Sequence, residues 1–151
     1  MDALIEKAAR TILDSNLTIA LTGAGISVES GIPDFRSRGG LWDRFDPEEY
    51  ATIYAFKDNP EKVWRMLKEM EQIVDKARPN EAHTGLAELE KMGLLKGVLT
   101  QNVDNLHQEA GSRDVIEYHG NSKSFTCMWC NKKYDYEDKR GEYPPECECG
   151  K

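Results

Sequence analysis

The chain has 151 residues, 39% hydrophobic and 31% charged, with 20 Lys and Arg against 27 Asp and Glu for a formal net charge of −7. That apolar fraction excludes a disordered chain, and no apolar run approaches the roughly 18 residues of a membrane span. The acidic balance argues against a general nucleic-acid or anionic-membrane binder.

The N-terminal residues carry acids, Asp2 and Glu6, and lack the apolar core and small-residue cleavage site of a signal peptide. A cytoplasmic, reducing location is therefore expected, which tilts the four cysteines toward a metal and away from disulfides. Leu4, Ile5, Ala8, Ala9, Ile12 and Leu13 recur at the spacing of an amphipathic helix. Leu17–Leu21 is a short β-branched apolar run that reads as a buried, parallel strand, and it runs straight into Thr22-Gly23-Ala24-Gly25. Helix, strand and glycine turn in that order open an α/β nucleotide-binding fold. Residues 31–47, with Gly31, Pro33, Gly39, Gly40 and Pro47, read as a long irregular connection of the functional kind. Asp46-Pro47-Glu48-Glu49 and Asn59-Pro60-Glu61 both read as helix starts. After the second, Val63, Met66, Leu67, Met70, Ile73, Val74 and Ala77 form one core-facing stripe, ended by Pro79. A helix fits Asn80 to Met92, with Gly93 as its stop. Leu94–Thr100 reads as a second buried strand and Val115–Tyr118 as a third. From Phe125 onward, cysteines, aromatics and Pro144-Pro145 suggest a small insert. The expected fold is α/β: a partial Rossmann-like parallel sheet over residues 1–122, then a small four-cysteine zinc-binding module over 123–151.

Five clusters carry candidate chemistry. Gly23-Ala24-Gly25-Ile26-Ser27 follows the first strand, where glycines let backbone amides approach a pyrophosphate. The third glycine of a G-x-G-x-x-G fingerprint would fall on Val28, so the alternatives are a variant phosphate turn and a plain tight turn. Pro33 stiffens a loop presenting Asp34, Phe35 and Arg36, an acid, an aromatic able to cover a planar group and a guanidinium able to grip phosphate. Its alternative is an ordinary loop with one buried Phe. Gln101-Asn102-Val103-Asp104-Asn105-Leu106-His107 follows the second strand at its carboxyl end, where α/β sheets place ligands. Amides and one acid suit ribose hydroxyls and a carboxamide, while Asp104 or Asn105 equally suits a helix cap. His119, between Tyr118 and Gly120, is a candidate general base after the third strand, with no orienting partner supplied by the sequence. Cys127-x-x-Cys130, sixteen residues and Cys147-x-Cys149 approach the spacing of a closed four-thiolate zinc site, one residue short in the last pair. A free or disulfide-bonded set is the alternative.

In order along the chain, these blocks resemble the sirtuins, the NAD-dependent protein deacylases. The matching residues are Gly23-Ala24-Gly25-Ile26-Ser27, Glu29-Ser30-Gly31-Ile32-Pro33-Asp34-Phe35-Arg36, Gly40-Leu41-Trp42, Pro79-Asn80-x-Ala82-His83, Gln101 to His107, Ala110-Gly111-Ser112 and His119-Gly120. The four cysteines come next, where the family carries its zinc module. The resemblance implies NAD as co-substrate and one structural zinc ion on Cys127, Cys130, Cys147 and Cys149. It puts Gly23, Ala24 and Gly25 at the NAD phosphates with Ser27 and Arg36 nearby, and Phe35 over the nicotinamide–ribose region. It gives Gln101 the ribose hydroxyls, and Asn102 and Asp104 the nicotinamide pocket, with Asp104 reading the carboxamide. Asp34 and Val103 complete the implied NAD-binding set, and His119, Asn102 and Asp104 the catalytic one. In the implied mechanism the acyl-lysine oxygen attacks the ribose carbon as nicotinamide leaves, and His119 deprotonates a ribose hydroxyl that then attacks the imidate. The products are free lysine, nicotinamide and O-acyl-ADP-ribose.

The partner implied is an acyl-lysine protein or peptide, with neither nucleic acid nor membrane bound directly. Leu67 and Met70 stand where succinyl- and malonyl-preferring members resemble one another in a Tyr and an Arg, which predicts an apolar acyl group. A complete sirtuin domain continues past this point, so the chain is expected to be its N-terminal portion, with a missing C-terminal half as a further partner. Residues 1–151 alone are expected to bind NAD poorly and to expose an unpaired sheet edge. The alternatives are an NAD glycohydrolase or mono-ADP-ribosyltransferase on the same pocket, and an inactive sirtuin fragment. A Rossmann dehydrogenase is opposed by Val28 in place of the third glycine, and a purely binding cysteine module by the acidic charge.

Overall fold

The computed structural model describes residues 2–151. In chain order the elements are α1 (Asp2–Leu13), β1 (Ala20–Thr22), short 3-10 helices at Ala24–Ser30 and Leu41–Asp43, α2 (Pro47–Tyr50), α3 (Ile53–Asp58), α4 (Pro60–Val74) and α5 (Glu81–Lys91). They continue with β2 (Val98–Thr100), α6 (Leu106–Glu109), β3 (Val115–Glu117), β4 (Ser124–Thr126), β5 (Lys133–Asp135) and α7 (Tyr136–Lys139). Among the described residues no helix is long and apolar enough to cross a membrane.

The chain forms two compact units. The first holds the residues up to Ser30 together with Arg78–Gly120. Its sheet is parallel, in the order β1-β2-β3, as the α/β reading requires. Register sets Ala20 beside Val98 beside Val115, Leu21 beside Leu99 beside Ile116, and Thr22 beside Thr100 beside Glu117. Gly97 opens β2 where no side chain fits, since a Cβ there would lie 2.7 Å from the Asp114 carbonyl oxygen. Helix α5 starts at a reciprocal cap: the Asn80 side chain accepts from the backbone N–H groups of Ala82 and His83, and the Asn80 N–H donates to the His83 ring. Gly93 ends it in the left-handed region at φ 76°.

Contrary to the expectation of buried outer strands, Leu21 of β1 is 68% exposed and Ile19 just before it 62%, while Ile116 of β3 is 67% exposed. Only central β2 buries its ends, through Val98 and Thr100. Side chains alternate across a strand, so Leu21, Leu99 and Ile116 share the face opposite those two. An apolar run records a capacity for burial; a covering layer must supply it. Helix α1 forms where its periodicity predicts, yet none of its described residues is buried.

The second unit holds Gly31–Ala77 and Asn121–Lys151. Its helices begin at the expected caps: Asp46 accepts from the Glu48 N–H at 2.8 Å and Asn59 from the Lys62 N–H at 3.0 Å. Helix α3, capped by Thr52, has no counterpart among the predicted elements. Val63, Met66 and Ala77 of the predicted stripe are buried, while Leu67 lies at the margin, 37% exposed. The sequence pattern divides the chain once, between 122 and 123. The structure divides it between 120 and 121 and moves residues 31–77 across to join the cysteine segment. Trp64 explains why. Its ring packs edge-on against Phe125 at 5.8 Å and Tyr143 at 6.0 Å, and Arg140 pairs with Asp75 at 3.0 Å. The Tyr143 hydroxyl donates to the Glu71 carboxylate.

Candidate functional site

Three parallel strands bring their C-terminal ends to one sheet edge. Gly23 comes after β1, Gln101 to Asp104 after β2, and His119 after β3. The first two groups are bonded together. The buried Ser27 hydroxyl donates to Asp104 Oδ2 at 2.6 Å. Asn102 Nδ2 donates to Ser27 Oγ at 3.0 Å and to the Gly23 carbonyl at 3.2 Å, so both its amide hydrogens are engaged and its Oδ1 keeps the accepting role. Asp104 Oδ1 accepts from the Leu106 N–H at 3.0 Å. A buried carboxylate must be hydrogen-bonded to persist, and these contacts hold Asp104 at 6% exposure. Asp104 thus takes the Leu106 N–H on one oxygen, just ahead of α6, whose N-cap Asn105 makes no side-chain cap bond, and the Ser27 hydroxyl on the other.

The glycines are informative through what they do not need. A Cβ built on Gly23 or Gly25 would meet nothing within 4 Å, and neither residue is held at positive φ. Among the described residues neither packing nor backbone strain demands glycine there, so the turn is open to close approach. Gln101 and Val103 are exposed, and His119 is exposed on the turn closed by Gly120 at φ 77°. The Tyr118 ring meets the His119 ring edge-on at 5.0 Å.

Two histidines beside this cluster have no role in the sequence reading. His83 and His107 are 0% and 1% exposed, with ring centroids 4.9 Å apart. Thr22 Oγ1 and His107 Nε2 share a hydrogen bond of 2.9 Å, while His83 Nε2 and His107 Nδ1 have no hydrogen-bond partner among the described residues. Burial pushes both imidazoles below their ordinary range; His83 further lowers His107, and the Asp104 carboxylate opposes the effect on each. For His83 the readable signal is the Asn80-x-x-His83 cap spacing, and no local pattern points to His107; Asn80 Nδ2 also donates to the Ile26 carbonyl at 2.7 Å.

In the second unit, Asp34 closes a turn on its own loop, accepting from the N–H groups of Arg36 and Ser37 and from the Ser37 hydroxyl at 2.5 Å. That hydroxyl chiefly holds the Asp34 carboxyl below its usual range. Gly40 is obligatory here, because a Cβ would lie 2.7 Å from the Asp34 carbonyl. Phe35 is 42% exposed and stacks on Trp42 at 5.1 Å, so the buried-Phe alternative fails and the ring is presented outward. Arg36 is exposed.

The four cysteines converge, with all their sulfurs within 4.8 Å of one another and no disulfide among them. Four thiolates at about 2.3 Å from zinc would sit about 3.8 Å apart, and the Cys127–Cys149 and Cys130–Cys147 contacts of 3.7 Å and 3.5 Å lie near that spacing. The short second pair does not spoil the geometry. The Asn131 N–H returns to the Cys127 carbonyl and the Gly150 N–H to the Cys147 carbonyl, and Asn131 and Gly150 both take positive φ. The second turn is the first with one residue removed. The backbone N–H of Cys149 and the Tyr134 hydroxyl hold the Cys147 thiol down to about 6, while its hydrogen bond to Cys147 pushes Cys149 up to about 12. This donor set could hold a zinc ion.

Residues 23–151 match the model of the Sir2 family. NAD-dependent protein deacylase 1 of Archaeoglobus fulgidus is 48% identical over 146 residues, covering 97% of this chain and 59% of the relative. An NAD-dependent protein deacetylase of Sulfurisphaera tokodaii is 50% identical over 151 residues, covering 96% of this chain and 60% of the relative. Among solved structures, a Sir2 homologue bound to NAD gives a TM-score of 0.86 at 48% identity, over 96% of this chain and 57% of that one. Sir2 with a deacetylated p53 peptide and 3'-O-acetyl-ADP-ribose gives 0.88 at 41% identity, over 97% and 61%. The chain spans roughly 60% of the length of the curated relatives it matches. With its strand-end cluster, its four grouped cysteines and a family match that runs from the first glycine of the turn to Lys151, the chain belongs to the Sir2 family.

Proposed function

We propose that this chain carries the nicotinamide-side part of an NAD-dependent protein-lysine deacylase, acting on NAD and an acyl-lysine protein or peptide. The observation that carries the reading is the bonding of the glycine turn into the Ser27–Asp104–Asn102 cluster, at the same C-terminal end of the three-stranded sheet from which His119 follows β3. The amides of Gly23, Ala24 and Gly25 receive the NAD phosphates. The Asp104 carboxylate, fixed by Ser27 and Leu106, accepts from the carboxamide of nicotinamide. Gln101 accepts from ribose hydroxyls, and Asn102 lines the nicotinamide pocket beside Asp104 with its Oδ1 left to accept, Val103 lining the same segment. His119 takes the ribose hydroxyl proton, as a general base must. For Asp34, Phe35 and Arg36 the support is the resemblance of their loop, Phe35 excluding water and Arg36 binding phosphate. Cys127, Cys130, Cys147 and Cys149 hold a structural zinc, which supplies cross-linking and no chemistry because four thiolates leave no open position. Four unpaired cysteines support a reducing, cytoplasmic setting.

The test is an assay of the gene product carrying this sequence with NAD and an acetyl-lysine peptide, reading O-acetyl-ADP-ribose by mass spectrometry. His119→Ala is expected to lower the rate by about 10²–10⁴-fold. Nicotinamide release with the acetyl group still on the peptide would support the glycohydrolase or ADP-ribosyltransferase reading instead. Leu67 and Met70 support an acetyl or longer aliphatic substrate; equal turnover of a succinyl-peptide would overturn that preference.

A further inference from the structure

We propose that Tyr134 is a positioning residue of the four-cysteine centre, donating its hydroxyl hydrogen to the Cys147 sulfur and so holding that ligand on the metal. The inference rests on the zinc reading above. Tyr134 Oη lies 3.1 Å from Cys147 Sγ. The Glu148 N–H donates to the same oxygen at 3.2 Å, which occupies an acceptor site and leaves the phenolic hydrogen to be placed. A metal-bound cysteine carries no proton, so only the phenol can donate across this contact.

The need for such a donor arises from the missing residue of the second turn. The longer turn, with two residues between its cysteines, has one more backbone N–H to offer its sulfurs than the shorter one. At the shorter turn the Tyr134 hydroxyl stands beside the Cys147 sulfur as a side-chain donor. Cys147 is also the buried member of the set, at 8% exposure, and therefore the sulfur least able to draw a hydrogen bond from solvent.

The donor is held and polarised. Strand β5 pairs Tyr134 with Phe125 on β4. The ammonium groups of Lys132 and Lys139 each lie 5.3 Å from the Tyr134 ring centroid. Glu148 fixes Lys132 at 2.5 Å and Glu142 fixes Lys139 at 3.1 Å. Cations over the ring withdraw electron density from it and strengthen the hydroxyl as a donor.

Tyr134→Phe keeps the ring between its lysines and deletes only the hydroxyl. In zinc-loaded protein, transfer of metal to a chromogenic chelator is expected to quicken by about 10–100-fold, the usual range for a lost outer-sphere partner. The cobalt-substituted variant is expected to keep the visible bands of a four-thiolate tetrahedral site while its sulfur-to-metal charge-transfer band moves to lower energy. Lys132→Met leaves the hydroxyl in place and tests the same bond independently, with a smaller increase in release rate expected. Unchanged release in both variants, with wild-type protein holding its metal, overturns the role of Tyr134 alone. Wild-type protein that takes up no zinc overturns the zinc reading and this inference together.

Discussion

The Asp104 carboxylate and the Cys147 sulfur are both drawn into clusters of polar groups, but by different routes. Ser27 reaches Asp104 across 77 residues of chain, and Asn102 reaches Gly23 across 79. Those bonds exist because a parallel sheet brings the ends of β1 and β2 together. The cysteines converge mainly within two short turns, each closed by its own backbone hydrogen bond, and the turns then meet across 17 and 22 residues. One cluster therefore depends on the sheet beneath it, and the other on two local turns and on any metal ion its four sulfurs bind. The strand-end cluster and the cysteine cluster should accordingly fail under different perturbations.

Metal removal should separate the two most strongly. Structural zinc contributes on the order of 10 kcal/mol of folding free energy at neutral pH. Chelation, or Cys147→Ser, should abolish hydrogen-exchange protection at the amides of Asn131 and Gly150 while those of Gln101 and Leu106 keep theirs. Equal loss at both places would mean that the two clusters stand or fall as one. Ser27→Ala acts from the other side. Removing a buried hydrogen bond to a charged group costs about 1.5–3 kcal/mol, read as a lower denaturant midpoint, with zinc release unchanged.

Smaller effects distinguish interactions within the strand-end unit. Asn80→Ala removes the cap of α5 and should cost about 1–2 kcal/mol. If the loss is no larger than for an exposed surface substitution, the cap does not anchor the helix. The buried pair His83 and His107 gives the mildest effect, a pH dependence. Their folded-state pKa values are depressed, whereas an unfolded histidine takes up its proton near pH 6.5. Just below that pH the unfolded state binds more protons, so stability falls as pH drops through 6.5 and levels off once the folded groups protonate. Chemical denaturation at stepped pH should show this slope, and His107→Gln should flatten it. A slope that survives the substitution unchanged would assign it to other groups.

Much of this architecture is legible from residues close together in the chain. The caps at Asp46, Asn59 and Asn80 start helices where their patterns predict, and Gly93 stops one. The three parallel strands arise from their apolar runs, and the candidate residues after them occupy strand ends. Helix α3 is hard to read because its signal is a lone Thr52 cap ahead of a short segment. Exposure of the first and third strands is equally hidden, since an apolar pattern does not reveal what covers it. The assignment of residues 31–77 to the cysteine unit depends on Trp64 meeting rings contributed by Phe125 and Tyr143, a contact no local pattern announces.

The capped helix starts at Asp46, Asn59 and Asn80, the stop at Gly93, the cysteine spacing and the family to which they belong are settled by the order of residues alone. Each depends on interactions among a few neighbours, whose geometry is set by backbone sterics and local hydrogen bonds whatever the rest of the chain does. Three-dimensional packing was needed to decide that Ser27 would anchor Asp104, that two histidines would be buried ring to ring, and that Tyr134 would stand over Cys147. Those contacts join residues brought together by strand pairing and by the meeting of distant side chains. Their existence depends on register and burial, which are properties of the folded chain as a whole.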